Sequence, residues 1–222
     1  MRGRLIVLEG IDGSGKSTQF RLLAERLEKD GASFRKIVFP RYDNGSSALL
    51  RAYLSGEFGK DPSDVSAYAA STFFFVDRFA SFKTDWGDFY KGGGTVICDR
   101  YTTSNAIHQG AKLPESALPA FLGWLYDFEF RLMELPEPDL VLYMDVDLET
   151  SLRQMQLRRD ASGTAGDIHE THADYLAACL RAGNEAAARL GWSRVRCMEN
   201  GAVRGVLAIH EDIYRTVKGA LQ

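Results

Sequence analysis

The sequence predicts an α/β fold, a five-stranded parallel sheet flanked by helices, and three observations predict it. Short apolar, β-rich runs alternate with helical stretches along the 222 residues. The turn Gly10-Ile11-Asp12-Gly13-Ser14-Gly15-Lys16-Ser17 follows the first run and fits the phosphate-loop pattern G-x-x-x-x-G-K-[ST] without a mismatch. Arginines stand just past two further runs, at Arg41 and Arg100, where an open parallel sheet collects its ligands.

The first strand is expected at Arg4–Glu9, because Leu5-Ile6-Val7-Leu8 is continuously apolar and suits a strand buried on both faces. Glycines in the turn that follows let backbone N–H groups close around phosphate oxygens. Lys16 adds a compact positive charge, and the Ser17 hydroxyl suits Mg²⁺. Phe20, Leu23 and Leu27 then recur at helical spacing among charged residues, so the loop opens a helix whose N-terminus faces the phosphates. The expected ligand is a nucleoside triphosphate, contacted by Gly10, Asp12, Gly13, Ser14, Gly15, Lys16, Ser17 and Thr18.

A second strand at 34–39 ends in Pro40-Arg41-Tyr42. Asp61-Pro62-Ser63-Asp64 is expected to start a helix running towards Lys83. On it Phe74 and Arg78 share a face: a ring that stacks on a base and a guanidinium that donates to its edge, favouring the O4 of thymine or uracil over the cytosine amino group. The competing reading is core, since Phe73, Phe75 and Phe79 crowd the same helix. Gly92-Gly93-Gly94 turns the chain into a third strand at Thr95–Asp99, followed by Arg100. Asp99 either positions hydrated Mg²⁺ or caps the next helix, on which Ser104 and Asn105 follow. Either arginine alone fits a surface salt bridge; as a pair at strand ends they fit a second phosphate.

Pro114-Glu115 opens a helix towards Glu134 that Leu135-Pro136-Glu137-Pro138 ends, before a fourth strand at Leu140–Asp145. The small, polar stretch Asp160-Ala161-Ser162-Gly163-Thr164-Ala165-Gly166 reads as a loop within a lid region spanning about 153–170. A fifth strand at 193–198 and an apolar core stripe of Val206, Ile209, Ile213 and Val217 complete a single domain over residues 1–222.

Composition narrows the partners. A net charge of −3 with no Lys/Arg block excludes the electrostatic footprint of a nucleic-acid polymer, while a small anion in a local basic site remains compatible. Cys98, Cys179 and Cys197 lack C-x-x-C spacing, so no disulfide framework or zinc site is expected. No apolar run has the length of a membrane span and no signal region precedes Leu5, so a cytoplasmic protein is expected.

From residue 4 to 218 the chain resembles the bacterial thymidylate kinases. The resemblance is carried by the phosphate loop, Phe39-Pro40-Arg41, the Phe74 to Arg78 helix, Asp99-Arg100-Tyr101 and Leu135-Pro136-Glu137-Pro138-Asp139. It implies a P-loop NTPase fold of the nucleotide kinase type with a short lid, a homodimer, and transfer of a phosphoryl group from ATP to dTMP with Mg²⁺. Carried over by residue, it implies that Arg41 and Arg100 hold the dTMP phosphate, Phe74 stacks on thymine, Arg78 donates to O4 and Asn105 meets the base amide edge. It further places Pro40 near the thymine methyl and Asp12 on the sugar 3′-hydroxyl, with Ser104 and His108 completing the pocket; Ser17 and Asp99 serve the metal. The sequence departs from the family at His108, where relatives often carry an aromatic residue, and at Ile168, where the lid pattern Asp-Arg-hydrophobic-Glu has arginine. Because Gly13-Ser14 supplies no basic side chain either, the catalytic cations expected beside Lys16 and Arg100 are Arg158 and Arg159. Two rivals remain at this level: a deoxynucleoside kinase, which needs a carboxylate base at the acceptor, and a nucleotide-binding regulatory module.

Overall fold

Leu5, Ile6, Val7 and Leu8 are each no more than 1% exposed, which requires cover on both faces of their strand. The computed structural model describes residues 2–162 and 173–221, and supplies that cover with helices on a five-stranded sheet. In chain order the elements are β1 (Arg4–Glu9), α1 (Lys16–Lys29), β2 (Phe34–Val38), α2 (Ala48–Leu54), α3 (Ala67–Ser81), α4 (Gly87–Lys91), β3 (Thr95–Asp99) and α5 (Thr102–His108). They continue with α6 (Leu118–Tyr126), β4 (Leu140–Asp145), α7 (Leu148–Ser162), α8 (Ala173–Arg189), β5 (Ser193–Arg196), β6 (Met198–Glu199), β7 (Ala202–Val203) and α9 (Val206–Leu221).

The sheet order is β2-β3-β1-β4-β5, with every neighbouring pair parallel. From β1 the chain crosses to β2 on one side, while from β3 it crosses to β4 on the other. The crevice between such diverging connections is where open α/β sheets bind ligands. In the β1–β3 register Leu8 pairs with Asp99, so the phosphate loop and Arg100 leave the sheet side by side. Helices α1 and α9 pack together, as do α5 and α8. A second, smaller apolar cluster of Leu50, Tyr53, Leu54 and Ala70 joins α2 to α3, with Phe73 and Phe74 against it.

Several expectations need correction. The Asp61 capping box closes a 3₁₀ turn over Pro62–Asp64; Val65 is extended, and Ser66 starts α3 afresh by accepting the Ala69 N–H at 3.2 Å. After Ser81 the helix widens into a π-helical segment, Phe82–Trp86, before α4. Met198 leaves the parallel sheet for the antiparallel β6–β7 pair, so the fifth strand is shorter than 193–198. Asp160, Ala161 and Ser162 belong to α7; the rest of the proposed loop and the Asp167-Ile168-His169-Glu170 segment lie outside the described residues. Val206 is 49% exposed at the open end of α9, whereas Ile209, Ile213 and Val217 are core. The three cysteines are buried thiols, and among the described residues no helix is long and apolar enough to cross a membrane.

Candidate functional site

A cavity of about 510 Å³ opens past the carboxyl ends of β1 and β3. At one end the phosphate loop makes its wall. Gly13 (φ 75) and Gly15 (φ 81) are left-handed, and a Cβ on Gly13 would sit 2.3 Å from the Ser151 carbonyl oxygen, so only glycine fits there. The Ser151 hydroxyl donates to the Asp12 carbonyl, pinning the loop to α7. Helix α1 begins at Gly15 with no side-chain cap and no acidic residue in its first turn. Its first N–H groups are thereby left for an anion. Lys16 is buried in the cavity wall; burial and then the Arg100 charge lower its pKa, opposed by Asp99, Asp12 and Glu9.

Arg100 is a non-glycine residue at φ 68, with its N–H bonded to the Leu8 carbonyl at 3.1 Å. That left-handed backbone turns its side chain back over the phosphate loop. Nη2 donates to the Asp12 carboxylate; Nη1 reaches Ser104 Oγ at 3.3 Å, His108 Nε2 at 3.0 Å and Glu9 Oε1 at 3.6 Å. Glu9 is fully buried and accepts from the Gly10 N–H (2.9 Å) and from the Thr103 and Ser104 hydroxyls (2.8 Å each). It ties the loop to α5. Burial, then the Arg100 charge, lowers the His108 pKa to about 3, so its ring is neutral.

At the other end α3 and α5 converge. Arg78 is 2% exposed and gives Nε (2.9 Å) and Nη2 to Glu129, itself 0% exposed. Glu129 also accepts from Thr102 Oγ1 at 2.6 Å. The Asn105 amide nitrogen faces the Ser71 carbonyl at 3.2 Å and Glu129 at 3.4 Å, which leaves its Oδ1 for a ligand. Phe74 lines the cavity, braced edge-on by Tyr53 at 6.2 Å. Pro40, after a cis Phe39–Pro40 bond, lines it as well.

The cavity therefore brings together Asp12, Gly13, Ser14, Gly15, Lys16, Ser17, Thr18, Pro40, Phe74, Arg78, Asp99, Arg100, Ser104, Asn105, His108 and Arg158. Gly10 stands just behind the loop, its N–H on Glu9. Besides Gly10, two expected residues are not in the lining. Arg41 turns away, donating to Ser81 Oγ at 2.9 Å beside Asp85 at 3.3 Å, because Asp77 takes its N–H and shapes the turn that follows. Arg159 lies one residue past Arg158 on α7, about 100° round the helix, and is not in the wall.

Glu9, Glu129 and Gln154 were given no role from the sequence, and Gln109 only its i, i+4 spacing from Asn105. The signal for Glu9 was a carboxylate closing a wholly apolar strand; for Glu129, one between Phe128 and Phe130. Gln109 is buried in the wall with neither amide atom hydrogen-bonded among the described residues. For a divalent cation, Ser17 and the buried Asp99 offer hard oxygen donors to the same cavity. Among the described residues no cluster of three His, Cys, Asp or Glu is present.

Comparisons with known proteins give one answer. The family model described as Thymidylate kinase matches residues 8–186. A thymidylate kinase of Mycobacterium tuberculosis (strain CDC 1551 / Oshkosh) is 35% identical over 173 residues, 77% of this chain and 79% of that protein. The Homo sapiens thymidylate kinase is 29% identical over 214 residues, 96% of this chain and 88% of the relative. A solved thymidylate kinase structure from Candida albicans superposes with a TM-score of 0.71 at 24% identity, covering 99% of this chain and 94% of that one, a likeness of fold.

Proposed function

The chain belongs to the thymidylate kinase family and phosphorylates dTMP, and we propose that it does so with ATP as donor and Mg²⁺ as the accompanying cation, by the residues set out below. The observation that carries the assignment of roles is the polarity of the base end. Arg78 keeps Nη1 beyond its two bonds to Glu129, and Asn105 keeps Oδ1. A donor beside an acceptor matches O4 and N3–H of thymine; cytosine would set donor against donor and acceptor against acceptor. Phe74 supplies the stacking surface.

At the other end Arg100 takes the dTMP phosphate, exchanging its internal carboxylate contacts for the incoming dianion. Arg41 would have to swing from Ser81 and Asp85 to join it. Asp12, freed from Arg100, accepts from the 3′-hydroxyl of the sugar. The phosphate of dTMP has a second pKa near 6, so at neutral pH it is already a nucleophile and requires no general base. Catalysis is then positioning and charge neutralisation: the loop N–H groups and Lys16 hold the donor phosphates, with Arg100 and Arg158 opposite them during in-line transfer. Ser17 and Asp99 would hold Mg²⁺, which when bound neutralises donor phosphate charge. Arg159 is kept as a second cation only through movement of α7. We also assign a single domain with its lid about 153–170, a cytoplasmic location, and a homodimer through the partly exposed Tyr68 and Val76 face of α3.

A coupled assay of ADP release with dTMP, dUMP, dCMP, dGMP and thymidine tests the reading. Turnover is expected with dTMP, less with dUMP, and little with dCMP, dGMP or thymidine. Preference for thymidine over dTMP would transfer the site to a nucleoside kinase. ATP binding without ADP release on any acceptor would leave a regulatory module.

A further inference from the structure

Arg100 stands at one end of a directional chain of hydrogen bonds that phosphoryl transfer does not itself require. A guanidinium has no acceptor, so across the 3.0 Å contact Nη1 donates and His108 Nε2 carries a lone pair. The ring is buried and neutral, hence its single proton sits on Nδ1. Nδ1 lies 3.6 Å from Cys179 Sγ on α8, a thiol that is fully buried and that burial keeps protonated. One turn earlier on the same helix, the Tyr175 hydroxyl donates to the His108 carbonyl at 2.5 Å. Tyr175 and Cys179 are one turn apart on α8, so both grip the same residue of α5.

We propose that Cys179 and Tyr175 are positioning residues for the phosphate-binding arginine: by accepting the Nδ1 proton and anchoring the His108 backbone, they hold His108 in the tautomer whose Nε2 accepts from Arg100. The opposite tautomer would present N–H to N–H, costing Arg100 an acceptor in a buried setting and releasing Nη1 from its place between Ser104 and Glu9. The inference rests on the reading of Arg100 as the dTMP phosphate ligand. It gives His108 a function distinct from that of an aromatic residue at the same position: a ring that orients a cation through a hydrogen bond.

Nitrogen-15 NMR of the His108 ring in the full chain tests it directly. Nδ1 protonated and Nε2 bare are expected in the unaltered protein and in Cys179→Ser, which keeps an acceptor. Cys179→Val fills the volume without one; there the tautomers should mix, and KM for dTMP should rise roughly tenfold, the scale of one buried hydrogen bond, while KM for ATP stays. An Nε2–H tautomer in the unaltered protein overturns the proposal, as does a valine variant with unchanged tautomer and unchanged dTMP KM. Should the valine variant fail to fold, Tyr175→Phe is the substitute, and an unchanged tautomer and KM there count against the proposal equally. Arg100→Ala run alongside separates the two layers: if dTMP binding survives it, the phosphate reading itself fails. If dTMP binding is lost in Arg100→Ala but not in the Cys179 variant, only the positioning role falls.

Discussion

At the base end of the cavity Arg78 commits two nitrogens to one sealed carboxylate, whereas at the phosphate end Arg100 spreads contacts over Asp12, Ser104, His108 and Glu9. The Arg78–Glu129 side chains are 2% and 0% exposed; those of Arg100 and Asp12 are 18% and 16%. The difference follows from what each end must do. A neutral base edge needs a donor fixed beforehand, so Arg78 is held permanently by its own counter-charge. A dianion brings two negative charges of its own, and the protein must be able to release the carboxylates that hold Arg100 until it arrives.

The largest expected effect is at the exchangeable end. Lys16→Ala and Arg100→Ala should each lower turnover by about 10³-fold or more with the circular dichroism spectrum unchanged, since both act on charge in transfer. Near-normal turnover in the Arg100 variant would remove its role. At the committed end stability should suffer instead. Glu129→Ala strands a buried guanidinium and should cost about 3–5 kcal/mol in urea unfolding, clearly more than Asp12→Ala. Equal losses would erase the contrast between the two ends.

A smaller effect comes from His108. Its pKa is lowered in the fold to about 3 against an ordinary value of 6.5, so between those values the unfolded chain takes up a proton that the folded one refuses. Stability therefore falls on acidification, by up to about 1.4 kcal/mol per pH unit across that window. Unfolding of His108→Gln measured beside the unaltered protein at pH 6.5, 5.5 and 4.5 should lack this slope. The smallest effect is at the base: dUMP lacks one methyl against Pro40, worth about 0.8 kcal/mol, so kcat/KM should favour dTMP only about fourfold. A preference of several hundredfold would mean that the base end discriminates by something other than the lost methyl.

How much of this was legible in the sequence depends on how local the cause is. The strands stood out because parallel strands covered on both faces are continuous apolar runs, and the phosphate loop because its glycines answer backbone constraints within eight residues. Phe74 and Arg78 could be put on one face by period alone. Glu129 could not be matched to Arg78, because the two are 51 positions apart and only the meeting of α3 with the π-helical segment Asp127–Leu132 that follows α6 joins them. Arg41 was rightly put at a strand end, but its rotamer is decided by Asp77, Ser81 and Asp85 on a different element. Helix α7 outran its expected end because Asp160, read as loop, accepts from Gln156 at 2.7 Å and extends the turn, a local bond that small polar composition disguises.

The backbone of Arg100 sets folding against catalysis at a single position. A left-handed φ of 68 costs an L-residue with a side chain about 1 kcal/mol that glycine does not pay. Arg100→Gly should therefore be more stable than Arg100→Ala, and the gap between the two variants in urea unfolding reads that backbone penalty apart from the lost ion pairs. Conversely, survival of arginine at this site under selection for growth measures how much conformational penalty the cell tolerates for one correctly aimed charge.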